Sequence, residues 1–186
     1  MKNSNLKAGG AFLATAGAVL RSQGLLLSVL GAALILAAAF AYEQITGLQP
    51  CPLCWLQRGV FVAFFLFGLA VLLVRKLAAS SWSARKGLRW VAAAGFAVLT
   101  VAGAGIAVRH IYIKLNPASA SCGLDVATLL DFFPLQTALT EMLKGSADCA
   151  QAANLLLLPL PVWSLTGYLI LSFVAIYSLL NPITKL

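Results

Sequence analysis

The sequence predicts an all-α membrane protein, a four-transmembrane-helix bundle that forms a single membrane domain over residues 1–186. Two features of the chain indicate this class. Hydrophobic residues make up 61% of the chain and charged residues only 10%, and the mean hydropathy is +0.95. A soluble fold of this length has too little interior to cover so much apolar surface, so the lipid bilayer must cover part of it.

Four apolar segments account for this hydropathy, and they lie at about 24–42, 55–74, 88–108 and 162–180. Each approaches the roughly 20 residues that a helix needs to cross the hydrocarbon core. A shorter apolar run, Ala11–Leu20, precedes the first segment. Lys2 and Lys7 ahead of this run would suit a secretory signal peptide. Arg21 directly after it favours instead a short N-terminal interfacial segment on the membrane surface.

The basic residues predict the orientation of the bundle. Nine of the 13 lie at or beyond the ends of the spans on one side of the membrane: Lys2, Lys7, Arg21, Arg75, Lys76, Arg85, Lys86, Arg89 and Lys185. All five acidic residues lie on the other side. Because basic loops stay inside, both termini and the loop 75–87 are expected to be cytoplasmic, and the loops 43–54 and 109–161 to be outside. The net charge of +8 therefore reflects topology, and no nucleic acid is expected as a partner.

The long outer loop contains a helix-like stretch, Thr128–Leu143, which is rich in leucine and phenylalanine. Such a stretch is expected to lie in the plane of the membrane interface. Pro134 should bend or break it, because proline removes a backbone hydrogen bond and clashes with the preceding turn.

All four cysteines lie in the outer loops, where disulfides can form and persist. Cys51 and Cys54 form a Cys-x-x-Cys motif in the first outer loop, and Cys122 and Cys149 lie in the second. Pro52 disfavours helix at Cys51 and itself suits the first turn of a helix. Cys54 should therefore lie in the first turn of span two, where free backbone N–H groups stabilise a thiolate.

Arg58 follows Cys54 by four residues and should lie on the same face of the helix, one turn deeper. Its charge would stabilise a thiolate and hold the carbonyl oxygen of a bound acceptor. Alternatively, Arg58 extends to the membrane interface or pairs with Glu43.

Two other roles for the cysteines are less favoured. A structural disulfide across so short a loop would restrict few unfolded conformations. Zinc is disfavoured because residues 123–148 separate the second pair, unlike the short spacings of most four-cysteine sites. His110 is a possible substitute ligand, but its place at the end of span three argues against that role. No metal is therefore expected.

These features resemble the bacterial disulfide bond formation protein B (DsbB) family over about 24–180. The likeness rests on these strings: Cys51-Pro52-Leu53-Cys54-Trp55-Leu56-Gln57-Arg58, Arg109-His110-Ile111-Tyr112, Cys122, Phe132-Phe133-Pro134-Leu135, Ser146-Ala147-Asp148-Cys149 and Pro161-Val162-Trp163. The resemblance implies an inner-membrane protein-disulfide oxidoreductase with a long periplasmic loop. Its electron donor would be a periplasmic thioredoxin-fold dithiol oxidase (DsbA-like), and its acceptor membrane ubiquinone or menaquinone.

The resemblance also implies a role for each site residue. Cys122 would react with the donor, Cys149 would exchange with Cys51, and Cys54 would remain as the thiolate that faces the quinone. Arg58 would stabilise this thiolate and the quinone, with His110 a second candidate at the quinone pocket. Two alternatives stay open: an enzyme similar to vitamin K epoxide reductase, and a non-catalytic membrane subunit with structural disulfides.

Overall fold

A computed structural model describes residues 2–77, 82–120, 126–151, 154–155 and 158–181 of the chain. Within these ranges the chain is mainly helical. The helices are α1 (Lys2–Thr46), α2 (Pro52–Leu77), α3 (Trp82–Leu115), α4 (Val126–Phe132), α5 (Leu135–Lys144), α6 (Ala147–Ala150) and α7 (Leu160–Leu180), with one 3₁₀ turn at Pro117–Ser119. Two very short antiparallel strands, β1 (Asn154–Leu155) and β2 (Leu158–Pro159), precede α7.

Four helices are long and apolar enough to cross a membrane, which confirms the predicted four-helix bundle. The candidate spans are Val19–Thr46, Pro52–Leu77, Lys86–Leu115 and Leu160–Leu180. Each contains the corresponding apolar segment and extends beyond it. Large side chains on the outer faces of these helices, such as Leu34 and Phe173, are 70% and 66% exposed. These faces are suited to contact with lipid, because a protein surrounded by water rarely exposes large apolar areas.

The first helix differs from the expectation drawn from the sequence. A separate interfacial segment was expected at Ala11–Leu20, but α1 runs as one helix from Lys2 to Thr46. No proline occurs before Pro50, and glycine alone does not break a helix. The run Ala11–Leu20 is therefore the first part of α1 and has no boundary of its own.

The bundle core is built from aromatic and small side chains. Phe64 of α2 and Phe96 of α3 are fully buried, and their ring centroids lie 4.8 Å apart. Nearer the outer loops, the Tyr168 ring of α7 stacks on Phe61 at 4.1 Å. The Tyr168 hydroxyl donates a hydrogen bond of 2.7 Å to the backbone oxygen of Gln57. These contacts join α7 to α2 one turn beyond the Cys-x-x-Cys motif.

The loop between α3 and α7 folds back onto the end of the bundle that carries the motif. Pro134 separates α4 from α5, as predicted, and stands at the N-terminus of α5. Ala138 and Met142 bury one face of α5, and Leu129 anchors α4 in the same apolar cluster. Cys122 and Asp125 lie outside the described residues. The short strands β1 and β2 were not predicted, since two residues carry no readable alternation.

Candidate functional site

The Cys-x-x-Cys motif caps the N-terminus of α2. Cys51 precedes the helix, and its backbone oxygen accepts a hydrogen bond of 3.1 Å from the Trp55 N–H. Pro52 is the first helical residue, so Cys54 lies in the first turn. The sulfurs of Cys51 and Cys54 are 2.8 Å apart, without a bond between them. The structure thus confirms the predicted placement of both cysteines at the helix start.

The structure brings a third sulfur to this pair. Cys149 lies in α6 and is fully buried, and Cys51 is only 6% exposed. The Cys51 and Cys149 sulfurs lie within 4.8 Å of each other. Both side chains share an apolar cluster with Leu53 and Ile113. Cys51 therefore has a sulfur neighbour in each of two different segments.

The corner between α5 and α6 sets the position of Cys149. Gly145 has a backbone φ of +79°, which residues other than glycine rarely adopt. A β-carbon at Gly145 would lie 2.4 Å from Ile113 Cδ1, so a larger residue would also require the Ile113 side chain to move. Arg109 Nη2 donates a hydrogen bond of 3.0 Å to the backbone oxygen of Lys144. This bond joins the end of α5 to α3 next to the corner.

The sulfurs of Cys51 and Cys149 differ in acidity. The hydrogen bond from the Cys51 side chain lowers the pKa of Cys149 to about 6, against the opposing effect of burial. The same hydrogen bond, helped by the bond to Cys54 and by burial, raises the pKa of Cys51. The shared hydrogen bond thus favours the thiolate form of Cys149 and the protonated form of Cys51. A thiolate is the form that attacks a disulfide.

His110 lies against these two cysteines. Its ring is fully buried, and Nε2 is 3.7 Å from the Cys51 sulfur and 3.2 Å from the Cys149 backbone oxygen. Because a carbonyl oxygen only accepts, Nε2 carries the proton. Nδ1 is then an acceptor, 3.5 Å from Gln57 Nε2.

The sequence did not reveal these contacts of His110. It placed His110 correctly near the end of α3, but it did not show that the end of α3 meets the cysteines. Its expected role at a quinone pocket stays a prediction. His110 is not among the described residues that line the cavity beside Cys54.

A cavity of about 850 Å³ opens beside Cys54. Its lining includes Glu43 of α1, Pro50 of the loop after α1, and Trp55 and Arg58 on α2. Leu130 of α4 lies on its other side. The volume falls within the range of about 300–1,000 Å³ that is typical of small-molecule sites. The cavity therefore has room for a ring-sized apolar molecule next to the sulfur of Cys54.

Arg58 points to this cavity but is paired. Its Nη1 lies 2.5 Å from a carboxylate oxygen of Glu43, and the side chains are 13% and 23% exposed. Its Nη2 donates a hydrogen bond of 3.2 Å to the backbone oxygen of Ala39. The guanidinium also lies over the Phe40 ring, 4.8 Å from its centroid. The pairing with Glu43, left open by the sequence, is thus present, and Glu43 itself becomes part of the cavity.

Comparison with known proteins identifies relatives of the chain. The family model described as "Disulfide bond formation protein DsbB" matches residues 21–178. A disulfide bond formation protein B from Alkalilimnicola ehrlichii is 37% identical, covering 87% of this chain and 95% of its own length. Its namesake from Stutzerimonas stutzeri is 35% identical, covering 83% and 92% respectively. No solved structure shows a significant match to the chain.

The acidity of Cys149 can be measured in the reduced protein carrying Cys54→Ser and Cys122→Ser, which leaves two thiols. We expect the ultraviolet absorbance of the thiolate to appear with a midpoint near pH 6, the lowered pKa of Cys149. Adding Cys51→Ala removes the hydrogen bond that lowers this pKa, so the midpoint should rise. An unchanged midpoint in that control would show that Cys51 does not set the acidity of Cys149.

Proposed function

We infer that this chain, which belongs to the DsbB family of disulfide bond formation proteins, is a quinone-dependent thiol oxidase of the bacterial inner membrane. It reoxidises a periplasmic thioredoxin-fold dithiol oxidase (DsbA-like) and passes the electrons to ubiquinone or menaquinone. One observation carries this proposal. The Cys51 sulfur lies 2.8 Å from Cys54 and within 4.8 Å of Cys149, so one sulfur can exchange between two disulfide partners.

The electrons enter through the second cysteine pair. The donor dithiol reduces a Cys122–Cys149 disulfide, forms its own disulfide and leaves the Cys149 thiolate free. That thiolate attacks Cys51 of the Cys51–Cys54 disulfide, and a Cys51–Cys149 bond forms as the Cys51–Cys54 bond breaks. Cys54 leaves as a thiolate. The role of Cys122 rests on the family resemblance.

The electrons leave through Cys54, which lines the cavity. The positive end of α2 stabilises its thiolate. Cys122 then attacks Cys149, which re-forms the Cys122–Cys149 disulfide and releases Cys51 as a thiol. A quinone in the cavity would accept two electrons and two protons as Cys51 and Cys54 form their disulfide again. Arg58 lies one turn deeper on α2 in the same cavity. Its guanidinium can donate to a carbonyl oxygen there while Glu43 balances its charge.

The position of the site fits an acceptor that is dissolved in lipid. Cys54 begins a helix that is apolar enough to span the membrane, so the cavity lies where the bundle meets the outer loops. Helices α4 and α5 cover this end of the bundle and leave Leu130, Phe132 and Leu135 half or more exposed. We propose that these side chains enter the membrane interface. A quinone then reaches Cys54 from the lipid, and the donor reaches the loop from the periplasm.

The basic residues support this orientation. Arg75 and Lys76 end α2 at the opposite end of the helix from Cys54. Arg21 lies at that same end of the bundle, since its Nε donates to the Tyr177 hydroxyl near the end of α7. The positive-inside rule places this end in the cytoplasm, with both termini. The cysteine end is then periplasmic.

Two cysteine variants separate entry from exit. Cys54→Ser should abolish quinone reduction, because no thiolate remains at the cavity. Cys122→Ser should block reaction with the donor, yet quinone should still oxidise its reduced Cys51–Cys54 pair. The measurement is quinone absorbance, with a reduced thioredoxin-fold donor for full turnover and chemically reduced protein for the exit step. Full turnover by Cys54→Ser, or loss of the exit step in Cys122→Ser, contradicts the proposed order.

Arg58→Ala should raise the apparent KM for quinone about tenfold or more, because it removes a charge-assisted hydrogen bond from the cavity. Arg75→Ala makes the same change of charge at the far end of α2 and should leave the KM unchanged. The rates are measured over a range of quinone concentrations in the same detergent. Equal KM values for the two variants would show that Arg58 does not bind the quinone and serves only in its ion pair with Glu43.

A further inference from the structure

The cluster of Cys51, Cys149 and His110 joins three groups that bind soft and borderline metal ions. The two sulfurs and the imidazole nitrogen all lie within 4.8 Å of one another, and all three residues are buried. Thiolate and imidazole are the preferred ligands of Zn²⁺ in proteins. We propose that the reduced cluster is also a Zn²⁺ site, and that Zn²⁺ bound there stops thiol exchange.

The spacing of the three atoms suits tetrahedral zinc. Zinc binds sulfur at about 2.3 Å and imidazole nitrogen at about 2.0–2.1 Å, so a sulfur and a nitrogen on one ion lie about 3.6 Å apart. The distance from Cys51 Sγ to His110 Nε2 is 3.7 Å. The Cys149 sulfur needs only a small movement to complete a three-ligand face. The Cys54 sulfur lies 2.8 Å from the Cys51 sulfur.

The charges also favour zinc. Zn²⁺ binding displaces the proton of Cys51, and the two thiolates with one neutral imidazole then balance the double positive charge of the ion. A neutral complex is suited to a buried site among Leu53, Ile113 and the three ligands, where an unbalanced charge would be strongly disfavoured. No other charged group has to move into the cluster.

Gln57 can support the histidine ligand. In the metal-free cluster, the Nε2 proton of His110 is directed at the Cys149 backbone oxygen. Zinc needs the lone pair of Nε2, so the proton must move to Nδ1. The Gln57 amide lies 3.5 Å from Nδ1, and its oxygen can accept that proton after the amide turns over. Gln57 is therefore a positioning residue for the proposed site.

The oxidation state decides whether the site exists. A Cys51–Cys54 or Cys51–Cys149 disulfide removes a thiolate from the set, so only the fully reduced cluster binds zinc. Zinc would in turn hold both thiolates and keep them from forming a disulfide. Zinc binding itself does not depend on the proposed function, whereas inhibition of turnover does.

The test uses the full-length protein in detergent, reduced with a phosphine and free of quinone. Zn²⁺ is titrated in competition with a chromophoric chelator. We expect one Zn²⁺ per chain, and about tenfold or more weaker binding in oxidised protein, in His110→Ala and in Cys149→Ser. Thr100→Ala, a substitution elsewhere on α3, should bind as the unchanged protein does. Replacement of Zn²⁺ by Co²⁺ should give sulfur-to-metal charge-transfer bands that Cys149→Ser weakens.

Equal affinity in reduced and oxidised protein would overturn the proposal, and so would unchanged affinity in both His110→Ala and Cys149→Ser. Thermal unfolding shows whether His110→Ala or Cys149→Ser has failed to fold. The zinc affinity of the variant that does fold is then the test. A separate assay adds Zn²⁺ during turnover with donor and quinone, and inhibition that a chelator reverses is expected. If the protein shows no turnover with donor and quinone in zinc-free buffer, the proposed function is contradicted. The proposed zinc site is not, because the zinc titration needs no turnover.

Discussion

The site depends on one packing contact. Helix α6 packs against the start of α2 and the end of α3. This contact places Cys149 in the same apolar cluster as Cys51 and Leu53. It favours glycine at position 145, because the backbone φ there is +79°. Burial of the Cys51 and Cys149 sulfurs also excludes water from them. A shared hydrogen bond can then lower the pKa of Cys149 and raise the pKa of Cys51. This prepares Cys149 for attack and favours the protonated form of Cys51.

The two sides of Cys51 serve different chemistry. On one side, Cys149 and His110 are buried and do not line the cavity. On the other, Cys54 opens into the cavity that Arg58 and Glu43 also line. An unpaired arginine at this depth would be strongly disfavoured, so Glu43 makes the charge tolerable there. The division lets thiol exchange proceed in a buried cluster while the acceptor occupies a separate space.

Local signals in the sequence were enough to predict the spans, the break at Pro134 and the positions of Cys51 and Cys54. Each of these depends on a few neighbouring residues, such as a proline or an apolar run. The meeting of His110 with Cys149, the place of Glu43 in the cavity and the continuity of α1 were not predicted. The first two depend on contacts between segments far apart in the chain, and the third on the absence of any strong helix breaker before Pro50.

The proposed mechanism requires Cys51 to pair in turn with Cys54 and with Cys149. The most direct test keeps three cysteines in the full-length Cys122→Ser protein. The protein is equilibrated in a glutathione redox buffer, quenched with acid, alkylated and mapped by mass spectrometry. We predict two disulfide species that both contain Cys51, one with Cys54 and one with Cys149. A Cys54–Cys149 bond as the main product, or no bond to Cys149 at any redox potential, would contradict it.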